Sequence, residues 1–368
     1  WKSSMLAQLR ATALRWSLLA LAYYLRASPL AIGKRWLLGL CLRLPRSPFS
    51  TVVSLRAAPP AALPAVRLCC RQTEAQPRAD ILSEWLLFAG TWQPALTGWL
   101  ERRLRPGDTF VDVGANTGYF ALLAARLVCD ERPAKSGRVV AVEACERSMA
   151  SLRENVSLNP RLAAAVRTVQ LAAGDSTGSC TLYRHRREPL YSTTVAGAGA
   201  GGVEASSSVW SVLQASGAVQ GDAAAAAAVS ALAEDDVWAK CSVATSTVDE
   251  MLTEEELRSA RVIKVDVEGG EWAVLRGMRR VLEGGRPDLE VIVELTPRWL
   301  RMQGVSAAHV IRHMRSLGFY AYKLGDDYQI SRSQPLAPVP RPRRMKDGEP
   351  LGCDQADVIF SREDVDYL

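Results

Sequence analysis

The chain of 368 residues is 48% hydrophobic and 23% charged. That balance excludes a wholly disordered or collagen-like polypeptide and allows about two to three domains, or one large domain with appendages. Its formal charge of +6 averages two unlike pieces: residues 1–73 carry 11 Lys and Arg and no acid, and the rest carries 34 basic residues against all 39 acids, a net of −5. This argues against nucleic acid as a partner, because a binding face needs Lys and Arg clustered on the folded body.

The acid-free, Arg-bearing leader over residues 1–73 has the composition of an organelle transit peptide, for mitochondrion or chloroplast. Met5 is a candidate start. Three other readings stay open. The apolar run Trp16–Leu25 is about half of the ~20 residues that cross a bilayer, but it suits a signal-peptide core. Ile32–Leu44, with Trp36 among basic residues, suits an interfacial helix and so membrane association. A helical pair packed on the body of a cytoplasmic protein is the plainest. Pro45, Pro48, Pro59, Pro60 and Pro64 mark a linker into a body over residues 74–368. The eight cysteines contain no C-x-x-C, which removes zinc-ribbon and thioredoxin-like readings and leaves mostly buried free thiols as the expectation.

In the body, Ile81–Leu104 reads as one helix, with Trp85, Trp92 and Trp99 at seven-residue intervals along a core-facing stripe. Strands are predicted at Thr109–Val113, Arg138–Val142, Val166–Leu171, Arg261–Val267 and Leu289–Leu295. Helices are predicted at Tyr119–Val128, Glu146–Leu158, Gly270–Leu282 and Ser306–Leu317, and Phe319–Leu324 and Ala356–Ser361 form a closing pair. This alternation predicts an α/β fold with a parallel sheet covered on both faces. Ala196–Ala233 breaks the rhythm, since 26 of its 38 residues are Ala, Gly or Ser. It cannot bury enough apolar surface to offset its ordering entropy, so it is predicted to be a mostly disordered surface insertion at 196–233. A functional lid is the sharper alternative. Its flanks, Ser179–Arg184 and Val243–Val248, are predicted as two short strands.

The strongest local signal is Phe110-Val-Asp-Val-Gly-Ala-Asn-Thr-Gly-Tyr-Phe120, a buried strand running through a glycine turn into a helix. Gly114 and Gly118 allow close backbone approach to a ligand, and the helix start offers free N–H groups. The spacing is neither G-x-G-x-x-G nor a P-loop, so a pyrophosphate or phosphate cradle is not indicated. Glu143 ends the second strand, where an acid accepts both hydroxyls of a ribose. Asp175 follows the third strand, where it would meet the amine of an adenine; a solvated loop acid is the alternative. A nucleoside cofactor without a pyrophosphate fits these features, and S-adenosylmethionine is one. The expected cofactor-binding set is Asp112, Gly114, Asn116, Gly118, Tyr119, Glu143, Asp175 and Asp266.

With Val262-Ile-Lys-Val-Asp-Val-Glu-Gly-Gly-Glu-Trp-Ala-Val-Leu-Arg-Gly277, the chain resembles the FkbM-type methyltransferases. The resemblance runs over about Ile81–Ser361, including Thr247–Leu252 and Val291–Leu295, and leaves out residues 1–73 and the Ala/Gly tract. It implies a class I methyltransferase (Rossmann-like) doubly wound seven-stranded sheet of order 3-2-1-4-5-7-6, strand 7 antiparallel. It also implies O-methylation of sugar or other small-molecule hydroxyls.

Lys264, Asp266 and Glu268 alternate along the fourth strand and so share one face. Three charges cannot all lie under a helix, which places them at the strand's C-terminal end. Gly269 and Gly270 make the turn that lets these acids converge, and Glu271 opens the next helix. The candidate catalytic set is Asp266 first, then Glu268, with Lys264 and Glu271. A capping and salt-bridge cluster is the alternative reading. Methyl transfer to a hydroxyl needs positioning and a base for the hydroxyl proton. His185 is a lesser candidate base. No metal is indicated, although oxygen-only magnesium sites leave weak sequence traces. His309 and His313 are read as an exposed helix face and Arg341–Lys346 as a solvated basic loop.

Overall fold

The computed structural model describes residues 49–54, 66–72, 82–83, 86, 90–130, 137–185, 192–194, 238–325 and 341–368. The chain before residue 49, the linker prolines, Trp85, the side chain of His185 and the Ala196–Ala233 tract lie outside them.

In chain order the elements are β1 (Phe49–Ser54), β2 (Arg67–Gln72), α1 (Pro94–Arg103), β3 (Thr109–Val113), α2 (Tyr119–Val128), β4 (Arg138–Val142), α3 (Glu146–Ser157), α4 (Pro160–Ala163) and β5 (Val166–Val169). Then come β6 (Ala172–Ala173), β7 (Gly178–His185), β8 (Ser192–Thr193), β9 (Trp238–Ser246), α5 (Val248–Met251), α6 (Glu254–Ser259), β10 (Ala260–Val265), α7 (Glu271–Arg276) and α8 (Arg279–Gly284). The chain closes with β11 (Glu290–Leu295), α9 (Pro297–Met302), α10 (Ala307–Ser316), β12 (Tyr320–Lys323), β13 (Arg343–Arg344) and β14 (Ala356–Ser361).

Eight strands make the main sheet, in the order β13-β12-β14-β11-β10-β3-β4-β5. The five from β5 to β11 run parallel. β14 lies antiparallel between β11 and β12, and β13 pairs antiparallel at the edge. The sheet is therefore mixed. The expected seven strands are one too few, because two-residue β13 is too short to leave a periodic signal. β3, β10 and β11 are buried along their whole length, as apolar runs covered on both faces must be. Phe110 faces one apolar layer, with Trp99, Leu122 and Met149. Val111 and Val113 face the other, with Ile263, Val274 and Met314.

Several expected bounds change for identifiable reasons. The helix expected over Ile81–Leu104 is interrupted: Leu82, Ser83 and Leu86 are helical, and helix resumes as α1. Gly90 and Gln93 take positive φ (74° and 38°), and Pro94 bars the residue before it from helix while suiting the first helical position. The helix expected over Gly270–Leu282 divides at Gly277, where a Cβ would stand 2.0 Å from the Gly174 carbonyl oxygen. The flanks of the Ala/Gly tract pair with each other at greater length than expected, β7 against β9 from Gly178↔Thr245 to His185↔Trp238. With β6 and β8 they form a second, four-stranded sheet.

Hairpin β1–β2 docks on α3 and the residues after it. Asn155 and Asn159 accept the Cys69 and Arg67 N–H groups at 2.8 Å each, and Asn159 donates to the Arg67 carbonyl at 2.7 Å. Val53, Val66 and Leu68 enter the core. The boundary expected between residues 73 and 74 thus falls after chain that already packs on the body. Charge marks where acids begin, and packing begins earlier. Cys69, Cys129, Cys145, Cys180, Cys241 and Cys353 are free thiols. Among the described residues no helix is long and apolar enough to cross a membrane.

Candidate active site

The glycine turn after β3 is tied to the end of β4. The Gly114 and Ala115 N–H groups both donate to the Val142 carbonyl at 2.9 Å. Gly114, Asn116 and Gly118 hold φ of 86°, 51° and 92°. A Cβ on Gly114 would stand 1.8 Å from the Asp266 carbonyl oxygen, so the glycine is required by the crossing of two chain segments. That corrects the expectation that it chiefly clears room for a ligand, although Gly114 does line the cavity described below. A Cβ on Gly118 would meet Leu152 of α3 at 3.2 Å; this glycine starts α2 and does not line the cavity.

Glu143 follows β4. Its Oε2 accepts the Asn116 N–H at 2.8 Å and its Oε1 accepts the Cys145 N–H at 2.7 Å. Burial pushes the carboxyl up to about 7 despite these amides. A carboxylate has about four acceptor positions, so about two remain for a ligand. The Tyr119 hydroxyl accepts the Trp92 N–H at 3.1 Å and bonds the Thr97 hydroxyl at 3.0 Å, which braces residues 92–97 as a wall beside α2.

Besides Gly118, two more members of the expected cofactor set lie elsewhere. Asp112 pairs in register with Lys264 beneath the cavity, 1% exposed, and neither carboxylate oxygen makes a hydrogen bond of ordinary geometry. Burial pushes it up to about 6, against the pull of the Lys264 charge. Asp175 forms an exposed ion pair with Arg276 of α7. Ala172 and Ala173 line the cavity in its place, because the chain leaves the cavity wall at Gly174 to meet α7.

The other end of the cavity is built where β10 stops at Val265. The alternation expected through Glu268 ends there, and Glu268 sits at φ 53° in a turn. Convergence of the acids comes from that turn. Glu271 holds it: Oε1 accepts the Val267 N–H at 3.1 Å and the Gly269 N–H at 2.9 Å. Gln303 donates to the Gly269 carbonyl from the other side. Glu271 is buried, pushed up to about 7 by burial, and does not line the cavity. It shapes the site and does not enter it, which removes it from the expected catalytic set.

Lys264 donates to Asp266 Oδ2 at 2.8 Å, with its ammonium 5.1 Å from the Phe120 ring centroid. Burial lowers its pKa, but Asp266 and then Asp112 outweigh that and leave it above the ordinary value. Glu294 ends β11 and accepts Gln355 Nε2 at 2.6 Å on Oε1. Oxygens of Asp266, Glu268 and Glu294 lie within 4.8 Å of one another. Burial first, and then the neighbouring acids, raise both Glu268 and Glu294 well above the usual carboxylate range.

One cavity joins the two ends. Asn116, Glu143 and Ser148 line the first; Lys264, Asp266, Glu268 and Glu294 line the second; Trp92, Phe120, Leu171 and Leu182 form apolar walls between them. It opens beyond the C-terminal ends of β3 and β10, where successive crossovers part to opposite sides and open α/β sheets place their ligands. The sequence model of the Methyltransferase FkbM domain matches residues 112–320, more than half of the chain. The chain belongs to this family.

The FkbM match takes in both ends of the cavity and stops short of hairpin β1–β2, α1 and β14. No curated protein matches the chain. Among solved structures, it is similar to methyltransferase FkbM from Methylobacillus flagellatus KT at 12% identity and TM-score 0.37, covering 78% of this chain and 56% of that one. It thus spans just over half the length of that protein. Precorrin-6y C5,15-methyltransferase from Geobacter metallireducens GS-15 shows 10% identity and TM-score 0.32, over 73% and 85% of the two chains. An rRNA methylase from Streptococcus thermophilus shows 8% and 0.33, over 72% and 93%.

Glu294 is the site residue that the sequence reading of the FkbM domain left without a role. The signal was present: like Glu143, it is an acid ending a buried apolar strand, Val291-Ile-Val-Glu-Leu295. Gln355 carries no such mark. His309 and His313 pack edge-on against Trp272, at 4.9 and 5.1 Å between centroids, away from the cavity lining. Arg343 and Arg344 pair with Glu349 and Asp364 and also stand apart from it.

Proposed function

We propose that this chain is an S-adenosylmethionine-dependent methyltransferase that O-methylates a hydroxyl of a small molecule or sugar. The observation that carries the reading is the single cavity with a backbone-oriented acid, Glu143, at one end and an acid cluster at the other. The two acceptor positions left on Glu143 suit the hydroxyls of a ribose, and Gly114 and Asn116 lie beside it. When bound, the sulfonium supplies an already activated methyl group. The chain's own part is then to position the acceptor and remove its proton. The sheet supports the reading too: without β13, its strands follow the class I order 3-2-1-4-5-7-6, with β14 as antiparallel strand 7.

A cationic amine as acceptor is a second reading, favoured by the three converging carboxylates. Calorimetry with S-adenosylhomocysteine tests the cofactor half, and absence of binding overturns it. Release of S-adenosylhomocysteine from the donor, against panels of polyols, sugars and amines, tests the reaction. Binding without turnover on any panel favours a binding protein of the same fold.

A further inference from the structure

We propose that Glu294 is the group that takes the acceptor's proton, with Gln355 as its positioning residue. This rests on the methyl-transfer reading above. The other acids are committed elsewhere. Asp266 commits Oδ2 to the buried Lys264 ammonium. Glu271 holds the turn, and Asp112 lies beneath the cavity. Glu143 is held by amides at the far end. Among the described acids lining the cavity, Glu268 and Glu294 are left.

These two differ in what holds them. Glu268 rides on the turn after β10. Glu294 is carried by β11, a central strand buried along its length, and Gln355 fixes its Oε1 at 2.6 Å. Two carboxylates whose oxygens lie within 4.8 Å, in an apolar surrounding, do not both ionise readily and titrate as a pair. A hydrogen bond donated to one of them favours its charged form. The Gln355 amide therefore favours the charged form of Glu294, an aid that Glu268 lacks among the described residues.

In the step, the acceptor O–H bond breaks as its oxygen forms a bond to the methyl carbon. The proton goes to Glu294, the C–S bond of the methylsulfonium donor breaks, and its electron pair stays on sulfur. Glu294 later returns the proton to solvent. The acids facing it are Asp266 and Glu268 after β10, Glu271 on α7 and Asp357 on β14, each of which raises it when charged, beyond the effect of burial; Lys264 answers only Asp266 by a direct bond. The rate should rise with pH as Glu294 loses its proton.

Glu294→Gln should lower kcat by about 10²–10⁴-fold and abolish the acidic limb of the pH–rate profile. Its affinity for S-adenosylhomocysteine by calorimetry should be unchanged. Gln355→Leu should move the acidic limb to higher pH, with kcat recovering there, a displacement that a merely structural role would not produce. Infrared difference spectra between low and high pH should show a carboxylic-acid band that Glu294→Gln alters. Calorimetry with Mn²⁺ should show no binding that depends on Glu294.

Unchanged kcat and an intact limb in Glu294→Gln would overturn the proposal. So would chelator-sensitive activity restored by Mg²⁺, which would make the three carboxylates a cation site. If Glu294→Gln does not fold, the pH profile of Gln355→Leu decides alone. A wild-type chain that neither binds S-adenosylhomocysteine nor turns over sinks the methyl-transfer reading, and this proposal with it. A wild-type chain that does both leaves the variants to judge Glu294 by itself.

Discussion

The two ends of the cavity use the same residue type to different ends. Both place a glutamate where a buried parallel strand stops, Glu143 after β4 and Glu294 at the end of β11. Glu143 is held by two backbone N–H groups, which cannot titrate and cannot move without the chain moving. The acid end is held by side chains: Lys264 on Asp266 and Gln355 on Glu294. Backbone donors make a recognition surface whose shape is set on folding. Side-chain donors beside crowded carboxylates leave a proton free to choose among neighbours. On the proposed function, the contrast would separate the part of the site that holds the cofactor from the part that handles a proton.

The largest expected effect comes where the ends touch. Gly114→Val puts a branched side chain at φ 86° with its Cβ 1.8 Å from the Asp266 carbonyl oxygen. The cost should exceed about 4 kcal/mol, and denaturant unfolding should show loss of the cooperative fold. A stable variant that merely lost S-adenosylhomocysteine binding would show that the two ends adjust independently.

Lys264→Met tests the acid end alone. It leaves Asp266 without its cation beside other acids, and should destabilise the protein by about 3 kcal/mol in urea titration. If the Glu143 end holds the cofactor, as proposed, S-adenosylhomocysteine affinity should change little. A large loss of that affinity would merge the two ends into one unit.

A smaller effect is expected from Glu271, and it depends on pH. Its folded pKa stands at about 7, above the ordinary 4.5. The folded state therefore holds a proton that the unfolded chain has released. Stability from this group is fully present below about pH 4.5 and is lost as pH rises through about 7. Glu271→Gln keeps an oxygen for the Val267 and Gly269 amides and removes the titration. Between those two pH values the variant should lose less stability than the wild type, by on the order of 2 kcal/mol. Parallel stability–pH curves would show that Glu271 does not titrate there.

The smallest effect is assigned to Asp175→Asn. An exposed pair with Arg276 contributes at most about 1 kcal/mol, and S-adenosylhomocysteine affinity should not move. A clear drop in that affinity would return Asp175 to the cofactor end.

The parts legible in the sequence were those whose cause is local. β3, α2, β4 and β14 fall at their expected bounds, because each is an apolar run ended by a turn or a change of period within its own few residues. Glu143 was legible for the same reason, as an acid closing such a run. Lys264 and Asp266 were legible through a motif. Glu268 was legible through the motif and the turn expected at Gly269 and Gly270; that Glu271 holds this turn, and that strand alternation stops at Val265, were not.

By itself, then, the sequence determined the alternation of strands and helices, the glycine turn and the acids that close strands, because these follow from steric and hydrophobic rules over a few residues. The tertiary structure alone decided where distant segments meet. Glu294 joins Asp266 and Glu268 through the register of β11 on β10, and it meets Gln355 across 61 residues of chain. Asp175 leaves the cavity because Gly174 and Gly277 touch, and residues 66–72 of the acid-free stretch join the core because Asn155 and Asn159 accept their backbone. Even the basic excess of residues 1–73 could not reveal that docking. Charge counts sum over residues, whereas hydrogen bonds and packing depend on which residues arrive at the same place.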